Sequence, residues 1–111
     1  MSVVDWDARP RATLLPGIVL QAIQLDGLML ARIAIDPGIE VPEHAHPHEQ
    51  IGTILAGSLT LRMAGTQDEL RPGMSYVVPG GARHGATAGP EGCLVLEAFA
   101  PVREDYAALL G

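Results

Sequence analysis

Residues 43–50 read EHAHPHEQ: histidines at 44, 46 and 48 and a glutamine at 50, all of one parity, in a chain that has four histidines altogether. In an extended strand successive side chains point to opposite faces, so His44, His46 and Gln50 project to one side as a comb of ligands. Pro47 interrupts the ladder next to His48, which is assigned to the rim of the comb or to the groups that support it. Glu49 has the opposite parity and faces away unless a bulge intervenes. A neutral imidazole held in a recess of apolar strands binds a divalent metal through one nitrogen and donates its other N–H to an acceptor. The same stretch is open to a plainer reading, a solvated pH-sensitive loop or an adventitious nickel or zinc binder.

Outward from the comb, the remaining histidine is His84, in PGGARH (79–84), just past an apolar run and a Pro/Gly turn. A facing strand that carries it would complete the site. Three imidazoles and an amide oxygen leave one or two metal positions open, as a catalytic site requires. The flanking sequence supplies such strands. GIVLQAIQL (17–25), LMLARIAI (28–35), QIGTILA (50–56), SLTLRM (58–63), MSYVVP (74–79) and CLVLEAFA (93–100) are short apolar runs separated by Gly and Pro. Asp26-Gly27 between the first two is a hairpin signal. Eight or so strands in this length predict an all-β sandwich or closed barrel. REDYAALLG (103–111) predicts a short C-terminal helix, and residues 1–16, with Pro10 and Pro16, an extended arm.

Composition narrows the function. The 111 residues suit one domain, 1–111, with an aliphatic core: 48% are hydrophobic and 4% aromatic, with 13 glycines and 9 prolines. The formal charge of −6, without a basic cluster, argues against nucleic acid or anionic lipid as partners. Cys93 is the sole cysteine and reads as a small buried hydrophobe, which with the acidic N-terminus suggests a soluble cytoplasmic protein. Trp6 is expected against the barrel exterior or a partner subunit. Tyr76 reads as core with a possible pocket hydroxyl, and Arg83 as a surface charge within reach of an anionic ligand.

The spacing Gly38, five residues, His44, one, His46, three, Gln50, six, Gly57, then Gly73, five, Pro79, Gly81, two, His84 resembles the two motifs of the cupin family. The resemblance implies a single-domain cupin β-barrel, or jelly roll, with a metal in its mouth held by His44, His46, Gln50 and His84. Glycines 38, 57 and 73 would lie at turns with unusual backbone angles. Two positions depart from the pattern: Gln50 stands where many cupins have glutamate, and Ala88 where the second motif often ends in asparagine. A neutral amide leaves the ion its full charge, which favours polarising a carbonyl or hydroxyl over activating oxygen. A dioxygenase with two histidines and a carboxylate around iron is accordingly demoted. Nickel, zinc, iron and manganese all remain open.

Glu97 is a carboxylate inside an apolar strand, sharing a face with Val95 and Phe99. Burial raises a carboxyl pKa, which suits a general acid or base, although an outward position or a pairing arginine would also accommodate it. HPHEQIG (46–52) with FAPVRED (99–105) resembles the small cupins around the pectin-degradation protein that opens 4,5-unsaturated uronates to linear keto sugars. That resemblance assigns Glu97, Phe99 and Arg103 to the active site, with Glu97 one methylene longer than the usual aspartate. Arg103 would clamp a substrate carboxylate bidentately, or else pair with Glu104, Asp105 or a neighbouring subunit. Phe99 would pack on a sugar face. The leading expectation is a metal-dependent lyase or isomerase acting on a small carboxylated substrate. A polyketide-type cyclase, an iron dioxygenase and a non-catalytic small-molecule sensor are the alternatives, and a homodimer is expected.

Overall fold

The computed structural model describes residues 2–111. Eight antiparallel strands, β1 (Ala12–Leu15), β2 (Ile18–Gln24), β3 (Met29–Ile35), β4 (Glu40–His44), β5 (Glu49–Met63), β6 (Thr66–Leu70), β7 (Ser75–Val78) and β8 (His84–Ala100), precede the helix α1 (Glu104–Leu110). The all-β jelly roll and the short terminal helix are as the sequence leads one to expect.

Two long strands organise everything else. β5 and β8 pair along nearly their whole length, from Glu49 with Ala100 to Met63 with His84, but the register slips around Ala56 and Gly57. There the pair bends, and the sheet wraps into two faces. One face runs β1-β2-β3-β8-β5-β7 through Cys93–Phe99 and the first half of β5, and the other runs β4-β8-β5-β6 through the opposite halves. Gly57 makes the bend possible: its φ is 73°, and a Cβ there would collide with the Gly92 carbonyl of β8. Gly38 and Gly73 also have the positive φ expected of them, 71° and 92°.

Strict alternation fills the barrel. Inward residues of the first face are Met29, Ala31, Ile33 and Ile35 on β3 and Cys93, Val95, Glu97 and Phe99 on β8, all buried. Each apolar side chain buried this way contributes roughly 1.5–3 kcal/mol from removal of hydrocarbon from water. The Asp26-Gly27 hairpin forms as expected, closed by the Leu25 N–H donating to the Leu28 carbonyl at 2.9 Å.

The segment expected as an extended arm is tied down instead. It holds a 3-10 turn at Trp6–Ala8 and then the edge strand β1. Buried Gln21, on the outward side of β2, donates through Nε2 to the carbonyls of Trp6 (2.5 Å) and Arg9 (3.2 Å). Arg9 returns a bond from Nη2 to the Ala22 carbonyl at 2.9 Å. These anchors lie in the partner strand, where the pattern of the arm itself does not reveal them.

Candidate active site

His44, the last residue of β4, pairs directly with His84, the first of β8. His46 lies in the short connection to β5, and Gln50 is the second residue of β5, facing inward while Glu49 is exposed. The rings of His44 and His84 are 4.3 Å apart, and His46 is 5.4 Å from the first and 5.0 Å from the second. The nitrogens they offer lie within 4.8 Å of one another.

A shared device sets the tautomers. Nδ1 of His44 lies 2.9 Å from the Pro42 carbonyl, Nδ1 of His46 3.1 Å from that of His48, and Nδ1 of His84 2.9 Å from that of Ala82. A carbonyl only accepts, so each ring donates its Nδ1–H and turns an Nε2 lone pair toward the others. Two features make that cluster fit a cation. Nε2 of His84 is buried without a partner. Nε2 of His46 faces the Gln50 Oε1 at 3.0 Å, one acceptor against another. The amide is held in that sense because its Nε2–H donates to Glu97. Three imidazole nitrogens and an amide oxygen suit a divalent transition ion. Burial, then the charge of Arg103, holds His46 below the usual histidine pKa, and burial does the same for His84, so both lone pairs are available at neutral pH. His48 stands outside the cluster, and its backbone carbonyl fixes His46.

Glu97 sits on the inward face of β8 and is 6% exposed. Tyr76 O–H and Gln50 Nε2–H both donate to its Oε2, and Oε1 receives no hydrogen bond from any described residue. Burial raises the Glu97 carboxyl pKa, opposed by those two bonds. Tyr76 reaches it across Gly52, which pairs with Tyr76 on one side and Glu97 on the other, and a Cβ at Gly52 would fall on the tyrosine ring. Tyr76 is thus brought into contact with the site, a role that the sequence reading left mostly to the core. Gly52 was the available signal, because a glycine inside a strand marks close approach.

Phe99 and Arg103 both reach the site, and both are engaged within the chain. Phe99 is 1% exposed, edge-on to His46 at 6.0 Å and to Tyr106 at 5.6 Å, so it buttresses the histidine and offers no open face to a sugar. Arg103 is buried at the start of α1, and its Nε and Nη2 donate to the two oxygens of Asp105 at 3.0 and 2.7 Å. The fork expected to clamp a substrate is therefore engaged within the chain. Its guanidinium stacks on Tyr106 with 3.9 Å to the ring centroid; Nη1 is not used by Asp105, and Arg103 is among the residues that line the cavity.

A cavity of about 320 Å³ opens at this point. His44, His84, Gln50, Glu97, Tyr76 and Arg103 are among the residues that line it. Cys93 is not among them, its thiol pushed up to about 11 by burial and then by Glu97.

Comparison with known proteins accords with this geometry. A cupin domain model matches residues 31–99. The dimethylsulfoniopropionate lyase DddW of Ruegeria pomeroyi is 33% identical over 73 residues, 66% of this chain and 48% of its own, so the chain spans about half of that relative. The pectin degradation protein KdgF of Dickeya dadantii is 29% identical over 82 residues, covering 73% of this chain and 74% of its own. The structure of KdgF from Halomonas sp. superposes with a TM-score of 0.88 at 29% identity, over 95% of this chain and 97% of that one. With the family model covering more than half of its length, the chain belongs to the cupin family.

Proposed function

We propose that this protein is a metal-dependent lyase or isomerase acting on a small carboxylated, oxygenated substrate. The observation that carries the reading is the cluster of three Nε2 lone pairs, two of them from the cavity-lining His44 and His84, beside a buried cavity-lining carboxylate with an unengaged oxygen. One divalent transition ion, nickel, zinc, iron or manganese, held by His44, His46, His84 and Gln50 Oε1, would supply Lewis-acid polarisation of a carbonyl or hydroxyl.

The chain's own residues do the rest. Glu97 takes a proton at Oε1 from the carbon beside the polarised group and returns it after the bond shift. Tyr76 and Gln50 steady the carboxylate through Oε2. Arg103, fixed by Asp105 and Tyr106, offers its remaining edge to the substrate carboxylate. Phe99 keeps the His46 ring in place.

Similarity to the pectin degradation protein makes a 4,5-unsaturated uronate the first substrate to offer. Loss of the ring alkene, followed by NMR on nickel-, zinc- and iron-loaded protein with His44→Ala as control, tests the reading. Metal-dependent ring opening above the spontaneous rate supports it, and no acceleration with the metal bound removes the uronate assignment.

The outward face completes the proposal with a homodimer. Ile23, Leu30, Ala98, Ile51 and Val77 form one directly paired row across five strands, and Ile51 and Val77 are 56% and 64% exposed. An apolar row of this kind suits an isologous contact. Val77→Lys should convert the dimer to monomer in light scattering. Among the described residues no helix is long and apolar enough to cross a membrane, and the lone Cys93 fits a cytoplasmic setting.

A further inference from the structure

The cavity itself speaks to the body of the substrate, independently of any relative. Its polar side chains gather with the histidines: Glu43 precedes His44 at the end of β4, and Tyr106 stacks with Arg103 at the start of α1. Along β8 the inward residues run from Phe99 and Glu97 to Val95 and Cys93, and after the bend from Ala88 and Ala86 to His84, so both ends of the strand lie at the polar mouth and its middle at the floor. The close approach of His46 to both Phe99 and His84 agrees with that layering. Beyond Glu97 and Tyr76 the walls are Ile18, Ile33, Ile35, Leu59, Leu61 and Val95. These side chains carry no hydrogen-bonding group, and the strands beneath them are paired with one another.

A hydroxyl carried into that region would lose its water and find no partner, whereas hydrocarbon would gain from burial. The mouth offers the reverse: a cationic edge at Arg103, the lone pairs of the histidines, and a carboxylate. The volume is that of about ten water molecules, enough for a compact ring or short chain.

We propose that the site selects a carboxylate whose oxygens are gathered at one end and whose body is compact hydrocarbon, in preference to a polyhydroxylated carboxylate of the same size. Ile33, Leu59, Leu61 and Val95 are the residues that set this preference. The inference rests on the cavity being the substrate site, as in the function proposed above, and it sets the lining against the uronate that similarity suggests.

The test compares cyclohex-1-ene-carboxylate with shikimate, which share ring, alkene and carboxylate and differ in ring hydroxyls alone. Each is titrated into zinc-loaded and metal-free protein carrying labelled Ile, Leu and Val methyls. The hydrocarbon acid should bind at least about tenfold more tightly than shikimate, moving the methyl signals of Ile33, Leu59 and Val95. Leu61→Thr, which places a hydroxyl in the wall, should narrow the ratio; if that variant does not fold, the wild-type ratio and the methyl shifts decide alone. Equal or tighter binding of shikimate, absence of binding by both acids, or binding that leaves those methyls unmoved would overturn the inference. A clear preference without turnover of any carboxylate would instead leave the cavity assignment standing and count against the lyase or isomerase reading.

Discussion

The barrel changes character within two residues of one strand. Val95 on β8 is flanked by Ile54 and Ile33, a layer of pure hydrocarbon, whereas Glu97, one step toward the mouth, is flanked by Gly52 and Ala31 with Tyr76 beyond. Both layers are buried, yet they work on opposite terms. At the floor, burial and close packing stabilise the fold directly. At the mouth, buried carboxylate, amide, phenol and imidazoles each cost desolvation that their mutual hydrogen bonds only partly offset. A protein keeps such groups when chemistry needs them, so the two ends should respond to substitution in opposite ways.

The largest expected effect is at the mouth. Glu97→Gln should lower turnover by about 10²–10⁴-fold while metal binding persists, the range for loss of a general acid or base. Kinetics and metal titration of one preparation check both halves, and a loss of turnover through loss of metal would blur the distinction. At the floor, Leu59→Ala should cost roughly 2–5 kcal/mol of stability by leaving a cavity, with metal affinity of the folded protein unchanged. Urea unfolding beside metal titration reads this pair of outcomes.

Gly52→Ala probes the boundary between the layers. The new methyl displaces Tyr76, so the phenol should leave Glu97 and the protein should lose roughly 1–3 kcal/mol, the usual cost of forcing extra volume into a packed core. Tyrosine ultraviolet absorbance during alkaline titration would register the change, because Tyr76 ionises well above the usual tyrosine range through burial and then the Glu97 charge, and displacement should bring it down.

The smallest effect belongs to Cys93 at the floor. Its thiol is raised to about 11 from 9.0, so the folded state holds the proton more firmly than the unfolded chain. The associated stability is intact below pH 9.0 and declines as pH rises toward 11. Unfolding free energy between those values should therefore fall more steeply for the wild type than for Cys93→Ala, and native Cys93 should resist thiol reagents at neutral pH.

What could be read from the sequence follows the same division of physics. The ligand set of His44, His46 and Gln50 was legible from its spacing, and Glu97 because a charge stands out in an apolar run. The strand comb was not the reason, since β4 ends at His44, a bend at Pro47 and His48 follows, and His46 reaches the cluster from that connection. The link from Tyr76 to Glu97 was not, since it depends on the register of three strands that meet at Gly52. The length of β5 and β8 was hidden too. Gly57 reads as a break, but the structure absorbs it as a bend within continuous pairing. In β8, Pro90 lies between Ala88 and Cys93, where the ladder with β5 skips, so the proline interrupts no register pair. The pairing of Arg103 with Asp105 was available as a possibility at two residues' separation, but only the folded helix start shows that it occupies the fork.

The β5–β8 pairing also sets a timetable. The hairpins β2–β3 and β5–β6 close over a few residues, whereas joining Glu49 to Ala100 requires almost half of the chain to be gathered first. Folds dominated by such distant pairings mature slowly, in milliseconds to seconds rather than microseconds. His44 and His84 meet on β4 and β8, strands of this late-forming closure, while His46 and Gln50 arrive with the neighbouring start of β5. A newly made chain would thus present scattered imidazoles until the barrel closes, and any selection among metals would fall to the finished mouth.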